Sequence, residues 1–521
     1  MTSGSQQSES QYTWWQIFLP DRGGWFFAYL MFGMLFVRPE LLLWDGGSCR
    51  HILNGVIIFN THHIPVDNFT SWANANVEVI TRAWLSDLIS GAFYIFAGLN
   101  GVVFICALLT SATLTWSYQM GRSRGLGLAS GLLLLATVMA TVGMHWSARS
   151  HIYSYAPFLI LYYLLFMTKM TGWKRTLGVA LTECLWVNLH GSFTIGMAMI
   201  LIKMLSEAVQ YWRNIGDKSR TASQLRWDAA ALAAAVAATA INPRGLDFYL
   251  HVVGYLSNPT VRRTDEWKSF DLFSGMGAPA FLVLAIIVAT MIWKTKRFSS
   301  RPELALLILL AIAGLNSMRL IPYCALIAMP VVGPAWQAIK TKVEEETVEP
   351  GAKLPWYRRW LGKIVVMEQR AGSQETSSLR MSLLVIVGVL VMGLVAMKVP
   401  WFAIKDFDSE RIPVAHVAYL TDKSFIDKHG FNYDNWGGYL YMKSKQRVFI
   451  DDWTDFLPVP FIDEYVQMLL TQPGWEKTFA RYDFQWVLVP PQANIAQVLR
   501  HSPDWQVAKE DEAAVLLVRK H

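Results

Sequence analysis

Up to about residue 400, apolar positions fall into long unbroken runs rather than the short alternations of a soluble domain. Runs such as Met276–Trp293 and Met381–Pro400 are long enough to cross a hydrocarbon core of roughly 30 Å. The pattern predicts spans at 24–44, 100–120, 125–145, 152–169, 176–190, 191–212, 227–242, 276–293, 303–318, 320–338 and 381–400. One apolar stretch departs from it. Trp84–Gly98, "WLSDLISGAFYIFAG", is short for a span and carries Asp87. Its residues Leu85, Leu88, Ile89, Ala92, Phe93 and Phe96 share one helical face, which predicts an amphipathic helix lying in the interface. From 401 onward the chain takes on ordinary soluble character. Alternation in "RVFID" and "WVLVP" predicts strands, and 458–470 and 493–500 read as helices, so 401–521 is expected to be a small α/β domain on a mixed sheet.

Composition agrees with a polytopic α-helical membrane protein: 53% of the 521 residues are hydrophobic and only 16% charged, where soluble chains carry about 25% charged residues. Segment 1–23 is polar and acidic, so the first apolar run reads as a retained span rather than a cleaved signal. The net charge of +7 comes from basic clusters between apolar runs, a topology signal that does not point to nucleic acid. With segment 1–23 in the cytoplasm, the loops carrying Arg122 and Arg124, Lys174 and Arg175, Lys218 and Arg220, and Lys296 and Arg297 all fall inside, as does loop 339–380. Loop 45–99 and the tail then face outward. Four cysteines without a CxxC pair suggest neither a zinc knuckle nor a disulfide framework.

Ionisable residues at span ends are costly in hydrocarbon and therefore informative. On the outward side lie Asp45, then Arg149 and His151 in "HWSARSHIYSY", Asn188 and His190 in "WVNLHGSF", and Arg244 in "INPRG". Glu266 in "TDEWKSF" and Arg319 in "NSMRLIPY" complete the set. Singly, each has a plain reading as cap, snorkelling base or turn residue. Together they predict one polar cavity at the outer leaflet. A carboxylate among guanidinium and amide donors suits a phosphate-bearing substrate, because arginine forks match phosphate oxygens and a carboxylate can deprotonate an acceptor hydroxyl. A polyprenyl-phosphate sugar has that form. Asp45 is then the expected base, with Gly46 and Gly47 letting the backbone approach the substrate. In the tail, Tyr433, Trp436, Tyr439 and Trp453 with Asp451 and Asp452 are candidate glycan contacts or plain sheet core.

These pieces occur in an order, from Asp45 and "HILNG…HHIPVDNFTSWANAN…RAWLSDL" through "ARSHIYSY", "LWVNLHGSF", "INPRGLDFY", "DEWKSF" and "MRLIPYCALIAMP" to "FNYDNWGGYL…RVFIDDW…EYV". In that order the chain resembles the GT-C class of integral-membrane glycosyltransferases, the group of oligosaccharyltransferases and protein mannosyltransferases, and within it a bacterial branch. The resemblance implies a GT-C-like transmembrane domain over 24–400, a multi-pass place in the bacterial inner membrane and an outward C-terminal domain. It also implies inverting transfer from a polyprenyl-phosphate donor to a lipid, glycan or protein acceptor, with Asp45 catalytic. Two positions depart from it: Gly46–Gly47 replace a second acidic residue, which leaves a divalent metal open. Ala83–Trp84–Leu85 stands where relatives often carry Glu-Trp-Leu, with Glu78 as the substitute. The alternative is a catalytically silent scaffold of the same fold that binds a lipid-linked glycan or a partner protein.

Overall fold

The computed structural model describes residues 22–520 apart from 80, 144, 216, 258–276, 348–355, 373–382, 424 and 426–427. Glu266, nearly all of segment 1–23 and much of loop 339–380 lie outside the described residues. The membrane-type region is built from α1 (Arg22–Phe32), α2 (Gly47–Thr61), α3 (Trp84–Ser123), α4 (Leu128–Gly143), α5 (His151–Tyr162), α6 (Gly172–Leu189) and α7 (Thr194–Trp212). It continues with α8 (Lys218–Thr239), α9 (Asp247–Ser257), α10 (Gly277–Thr295), α11 (Arg301–Asn316), α12 (Ile321–Thr347), α13 (Trp356–Gly372) and α14 (Leu383–Lys398). Each predicted span overlaps a helix, although the first, 24–44, is helical only as far as Val37 before a short 3-10 turn. Among the described residues, Trp84–Ser123, Gly191–Trp212, Ala278–Thr295 and Met318–Glu345 are long and apolar enough to cross a membrane, and four shorter helices are apolar.

Local sequence explains where helices stop. The first apolar run passes into a π turn and ends at Arg38 (φ −144°, ψ 61°), because the residue before Pro39 is disfavoured in the helical region. Within α3 the backbone breaks at Ala97 and at Gly98, whose φ of 59° with ψ of −147° is open essentially to glycine alone. The break divides the stretch predicted to lie in the interface from the span that follows it.

Three helices were not foreseen between the predicted spans: α2 in segment 45–99, α9 between 242 and 276, and α13 in segment 339–380. Helix α2 lies along the first part of α3. A Cβ on Gly55 would fall 1.8 Å from the Asp87 carbonyl, and one on Gly91 would fall 2.2 Å from Gly55, so two glycines set this close approach.

The tail contains α15 (Val414–Asp422), β1 (Gly430–Asn432), α16 (Gly437–Ser444), α17 (Val459–Leu469), α18 (Trp475–Arg481), β2 (Trp486–Val489), α19 (Asn494–Arg500), β3 (Trp505–Glu510) and β4 (Val515–Arg519). The sheet order is β1-β2-β4-β3, with β1 parallel to β2 and the other pairs antiparallel, a mixed sheet. Phe431, Phe449, Phe484, Val487 and Leu517 fill its core. "WVLVP" forms β2, but "RVFID" joins no ladder of this sheet. The Asn432 side chain takes its place, accepting from the Phe449 amide (3.1 Å) and donating to the Ile450 carbonyl (2.8 Å). Val448 instead makes an isolated bridge to Ser71.

That bridge belongs to a larger interlock between segment 45–83 and the tail. Trp72 stacks on His429, their ring centres 4.0 Å apart. Arg50 is buried, 3.5 Å from Asp451 and over the rings of Phe69 and Trp453. Its burial pulls the guanidinium pKa down, and the Asp451 charge opposes that shift. Two glycine pairs meet at the seam: a Cβ on Gly46 would lie 1.9 Å from the Asn435 carbonyl, and one on Gly438 would lie 3.2 Å from the Arg50 amide.

Candidate functional site

The ends of several helices meet around one cavity of about 340 Å³, within the range of about 300–1,000 Å³ common for small-ligand sites. His145 follows α4, Arg149 and His151 open α5, and His190 ends α6. Ser192 and Thr194 open α7, and Arg319 and Tyr323 begin α12. From α2 and α3 come His51 and Asp87, with Arg82 and Ala83 just before α3; from the tail come Asp452, Trp453 and Phe456. A second cavity of about 400 Å³ lies towards the opposite ends of α3, α5, α7 and α12. Its charged residues pair with one another, Arg124 with Glu303 and Lys203 with Glu207.

Of the residues singled out in the sequence, Arg149, His151, His190, Arg319 and Trp453 line the first cavity. Asp45 stands behind it. Its buried carboxylate takes a two-pronged contact from Arg149, with Nε 2.5 Å from Oδ2 and Nη2 donating to Oδ1 at 2.8 Å. The Gly47 amide also donates to Oδ1 at 3.0 Å. Arg149 reaches Asp452 Oδ2 with Nη2 at 3.2 Å, so one cation joins two carboxylates from opposite ends of the chain. The glycines after Asp45 make room for protein rather than substrate: a Cβ on Gly47 would lie 2.0 Å from Arg149 Nη2 and 2.3 Å from Asp452 Oδ2.

Asn188 is tied up structurally, accepting from Trp84 Nε1 (2.7 Å) and donating to the Ile241 carbonyl (2.7 Å). Arg244 pairs with the exposed Glu78 at 2.6 Å; neither is among the residues that line the cavity. Glu266 lies outside the described residues. Trp436, Tyr439 and Asp451 are buried at the seam between tail and membrane-type region, 3%, 1% and 0% exposed, and offer no face to a glycan. Trp436 Nε1 donates to the Arg411 carbonyl at 3.0 Å, and Asp451 accepts from the Thr70 hydroxyl.

Two polar residues of the cavity, Asp87 and Tyr323, are not assigned to a site from sequence, and Asp452, read there only as a candidate glycan contact, lines it as well. Asp87 accepts from His51 Nδ1 at 2.6 Å and from Asn54 Nδ2 at 3.1 Å, and it sits one turn beyond Ala83. Asp452 closes the cavity from the tail. Burial pushes its carboxyl up to about 7, with Arg149 opposing and the Asp451 and Asp45 charges reinforcing the shift. Its Oδ1 meets no hydrogen-bond partner among the described residues. Tyr323 links hydroxyls across the cavity wall, 2.5 Å from Ser154 Oγ and 2.8 Å from Ser192 Oγ, which in turn lies 2.7 Å from His190 Nδ1. The sequence shows each of these residues, but only folding selects its partner.

This donor set does not fit a divalent ion. Of the acidic groups brought together here, Asp45 and Asp452 share Arg149 and Asp87 is held by His51 and Asn54, and among the described residues no group of three or more His, Cys, Asp or Glu could hold a metal. What the arrangement can do is hold an anion beside arginines while imidazoles and carboxylates stand ready to take a proton.

No protein-family model and no curated protein matches the sequence. Solved structures do match. The oligosaccharyltransferase AglB of Archaeoglobus fulgidus, in complex with an inhibitory peptide and a dolichol-phosphate, superposes with a TM-score of 0.54 at 12% identity. The match covers 89% of this chain and 68% of that one. The fold is GT-C-like. The apo form of the Archaeoglobus fulgidus oligosaccharyltransferase gives a TM-score of 0.50 at 12% identity over 90% of this chain and 69% of that one. ArnT from Cupriavidus metallidurans bound to undecaprenyl phosphate also matches, with a TM-score of 0.49 and 12% identity over 95% and 98% of the two chains. In this GT-C-like chain the polar cavity lies where helix ends, segment 45–99 and the tail come together.

Proposed function

We propose that this protein is a membrane-embedded inverting glycosyltransferase of the bacterial inner membrane, which takes a sugar from a polyprenyl-phosphate donor on the extracytoplasmic face. The acceptor is a lipid, glycan or protein. The observation that carries this reading is Arg149, fixed between two carboxylates at the wall of a cavity that also receives Arg319. The AglB structure, with its dolichol-phosphate, supplies a protein of like fold that holds such a lipid.

In this reading Arg149 and Arg319 hold the donor phosphate and stabilise the charge that grows as the sugar leaves. The apolar side chains of Ile195, Val252 and Leu320 line the same cavity and meet the start of the lipid tail. The orphaned Oδ1 of Asp452 accepts a hydroxyl of the sugar or acceptor. Asp45 acts by fixing Arg149. Its carboxylate oxygens are engaged by that guanidinium and by the Gly47 amide, so it is poorly placed to take a proton.

The experiment is a comparison of lipid-linked and surface glycans, by mass spectrometry, in a deletion strain and in the same strain complemented with wild type or Arg149→Gln. Loss of one glycoconjugate, restored only by wild type, is expected; identical profiles in all strains would refute transfer. The engaged state of Asp45 favours one second reading, a silent scaffold that binds the same lipid. It predicts polyprenyl-phosphate binding without any glycan change.

A further inference from the structure

Helices α2 and α3 bring together a second acid–base arrangement, separate from the Asp45–Arg149–Asp452 chain. On α2, His51, Asn54 and Gly55 fall at spacings of three and four and share a face. On α3, Asp87 and Gly91 are one turn apart. The two glycines let the backbones touch, and that approach sets His51 Nδ1 2.6 Å from Asp87 Oδ1. Asp87 is 1% exposed, lies in the first turn of its helix and has its other oxygen held by Asn54 at 3.1 Å. A buried carboxylate with each oxygen accepting one hydrogen bond holds the imidazole with its proton on Nδ1. The Nε2 lone pair is then free, and His51 lines the cavity beside Trp453, whose ring centre lies 6.4 Å from its own. Among the described residues no hydrogen bond to His51 Nε2 occurs. The division of labour is that of an orienting carboxylate and a histidine base.

We propose that His51, oriented by Asp87, takes the proton from the acceptor hydroxyl, an inference that rests on the glycosyl-transfer reading above. The acceptor oxygen forms its bond to the anomeric carbon as the bond from that carbon to the phosphate oxygen breaks. The bonding pair departs with the polyprenyl phosphate against Arg149 and Arg319. The acceptor proton passes to His51 Nε2, and the Asp87 carboxylate balances the imidazolium. His51 is thus a catalytic residue and Asp87 a positioning residue. This separates the two tasks in space: the anion is held by arginines at the α5 and α12 ends, and the proton is removed from the α2–α3 side.

The test uses membranes of the deletion strain carrying full-length variants, with product read by mass spectrometry. Binding of polyprenyl phosphate to the purified proteins is read by native mass spectrometry. His51→Ala is expected to cut the rate of product formation by about 100-fold or more, the usual worth of a general base, with binding retained. Added imidazole should restore part of that loss, which a merely structural role does not allow. Asp87→Asn should lower turnover while leaving the apparent acceptor KM and polyprenyl-phosphate binding unchanged, and Asp87→Glu should recover part of it. If His51→Ala fails to accumulate, His51→Gln fills a similar volume and carries the same rate test. Full turnover in either His51 variant, or a loss that imidazole does not relieve, overturns the dyad alone. Wild-type protein that neither binds polyprenyl phosphate nor changes any glycan overturns the glycosyl-transfer reading instead.

Discussion

Arg149 faces Asp45 with Nε 2.5 Å from Oδ2 and Nη2 2.8 Å from Oδ1, and the same Nη2 lies 3.2 Å from Asp452. Removing the cation strands two buried carboxylates, a change that costs about 3–5 kcal/mol when one partner of a buried pair is lost. Arg149→Met is therefore expected to lower the melting temperature and abolish polyprenyl-phosphate binding. Adding Asp45→Asn and Asp452→Asn should restore most of the stability and none of the binding. A thermal-shift series with native mass spectrometry checks both. Recovery of binding in the triple variant would show that the phosphate is held elsewhere.

Asp45→Asn separates anchoring from proton transfer. An asparagine keeps the shape but not the charge, so Arg149 is left to Asp452 and loses its fixed direction. The expected outcome is a polyprenyl-phosphate affinity about tenfold weaker, about 1.4 kcal/mol, together with lower turnover. Unchanged affinity with turnover abolished would return Asp45 to the role of base. Titration by native mass spectrometry alongside the glycan assay makes the distinction.

The Asp452 carboxyl should make stability depend on pH. Raised from 3.8 to about 7, it keeps its proton in the folded protein over a range where the unfolded chain has released it. Its contribution is therefore favourable at low pH and is lost as pH rises through about 7. Asp452→Asn lacks this penalty. Relative to wild type its stability should grow by about 1 kcal/mol per pH unit between about pH 5 and pH 7, then level off. Thermal unfolding across that range tests it, and a constant offset at every pH would contradict the buried, proton-bearing carboxyl.

Much of the fold was legible because membrane helices announce themselves by length and apolarity, and because basic loops and aromatic ends punctuate them. The helix ends gave Arg149, His151, His190 and Arg319, residues that hydrocarbon tolerates only where a polar cavity receives them. The sequence could not reveal which partner each would find. Asp45 reads as reactive because a lone carboxylate at a span end demands a reason; its partner in the fold is a guanidinium 104 residues away, which no local pattern announces. Helix α2 was hidden inside a stretch read as loop, since a 15-residue helix with buried Arg50 and Asn54 has neither a span's length nor a clean amphipathic face. "RVFID" carries the alternation of a strand, yet the Asn432 side chain and a single bridge to Ser71 satisfy its backbone in place of a neighbouring strand of the sheet.

The glycines at 46 and 47 offer the most direct test of how the tail completes the cavity. From sequence both read as freeing the backbone for a ligand, yet each meets protein. An added Cβ at Gly46 would overlap the Asn435 carbonyl at 1.9 Å, and one at Gly47 would overlap Arg149 Nη2 and Asp452 Oδ2. At Gly46 the obstacle is backbone, so Gly46→Ala must push the tail away from α2; overpacking of this kind costs about 1–3 kcal/mol. At Gly47 the obstacles are side-chain tips that can swing aside, so Gly47→Ala should keep most of its stability while disturbing the Arg149 contacts and weakening polyprenyl-phosphate binding. Gly33, with nothing within 4 Å of its Cβ position, provides the neutral control. Limited proteolysis of the tail should therefore accelerate in Gly46→Ala and not in Gly47→Ala or Gly33→Ala, whereas binding should fall in both Gly46→Ala and Gly47→Ala. A Gly46→Ala protein with an unchanged tail and full binding would mean that docking of the tail does not shape the cavity.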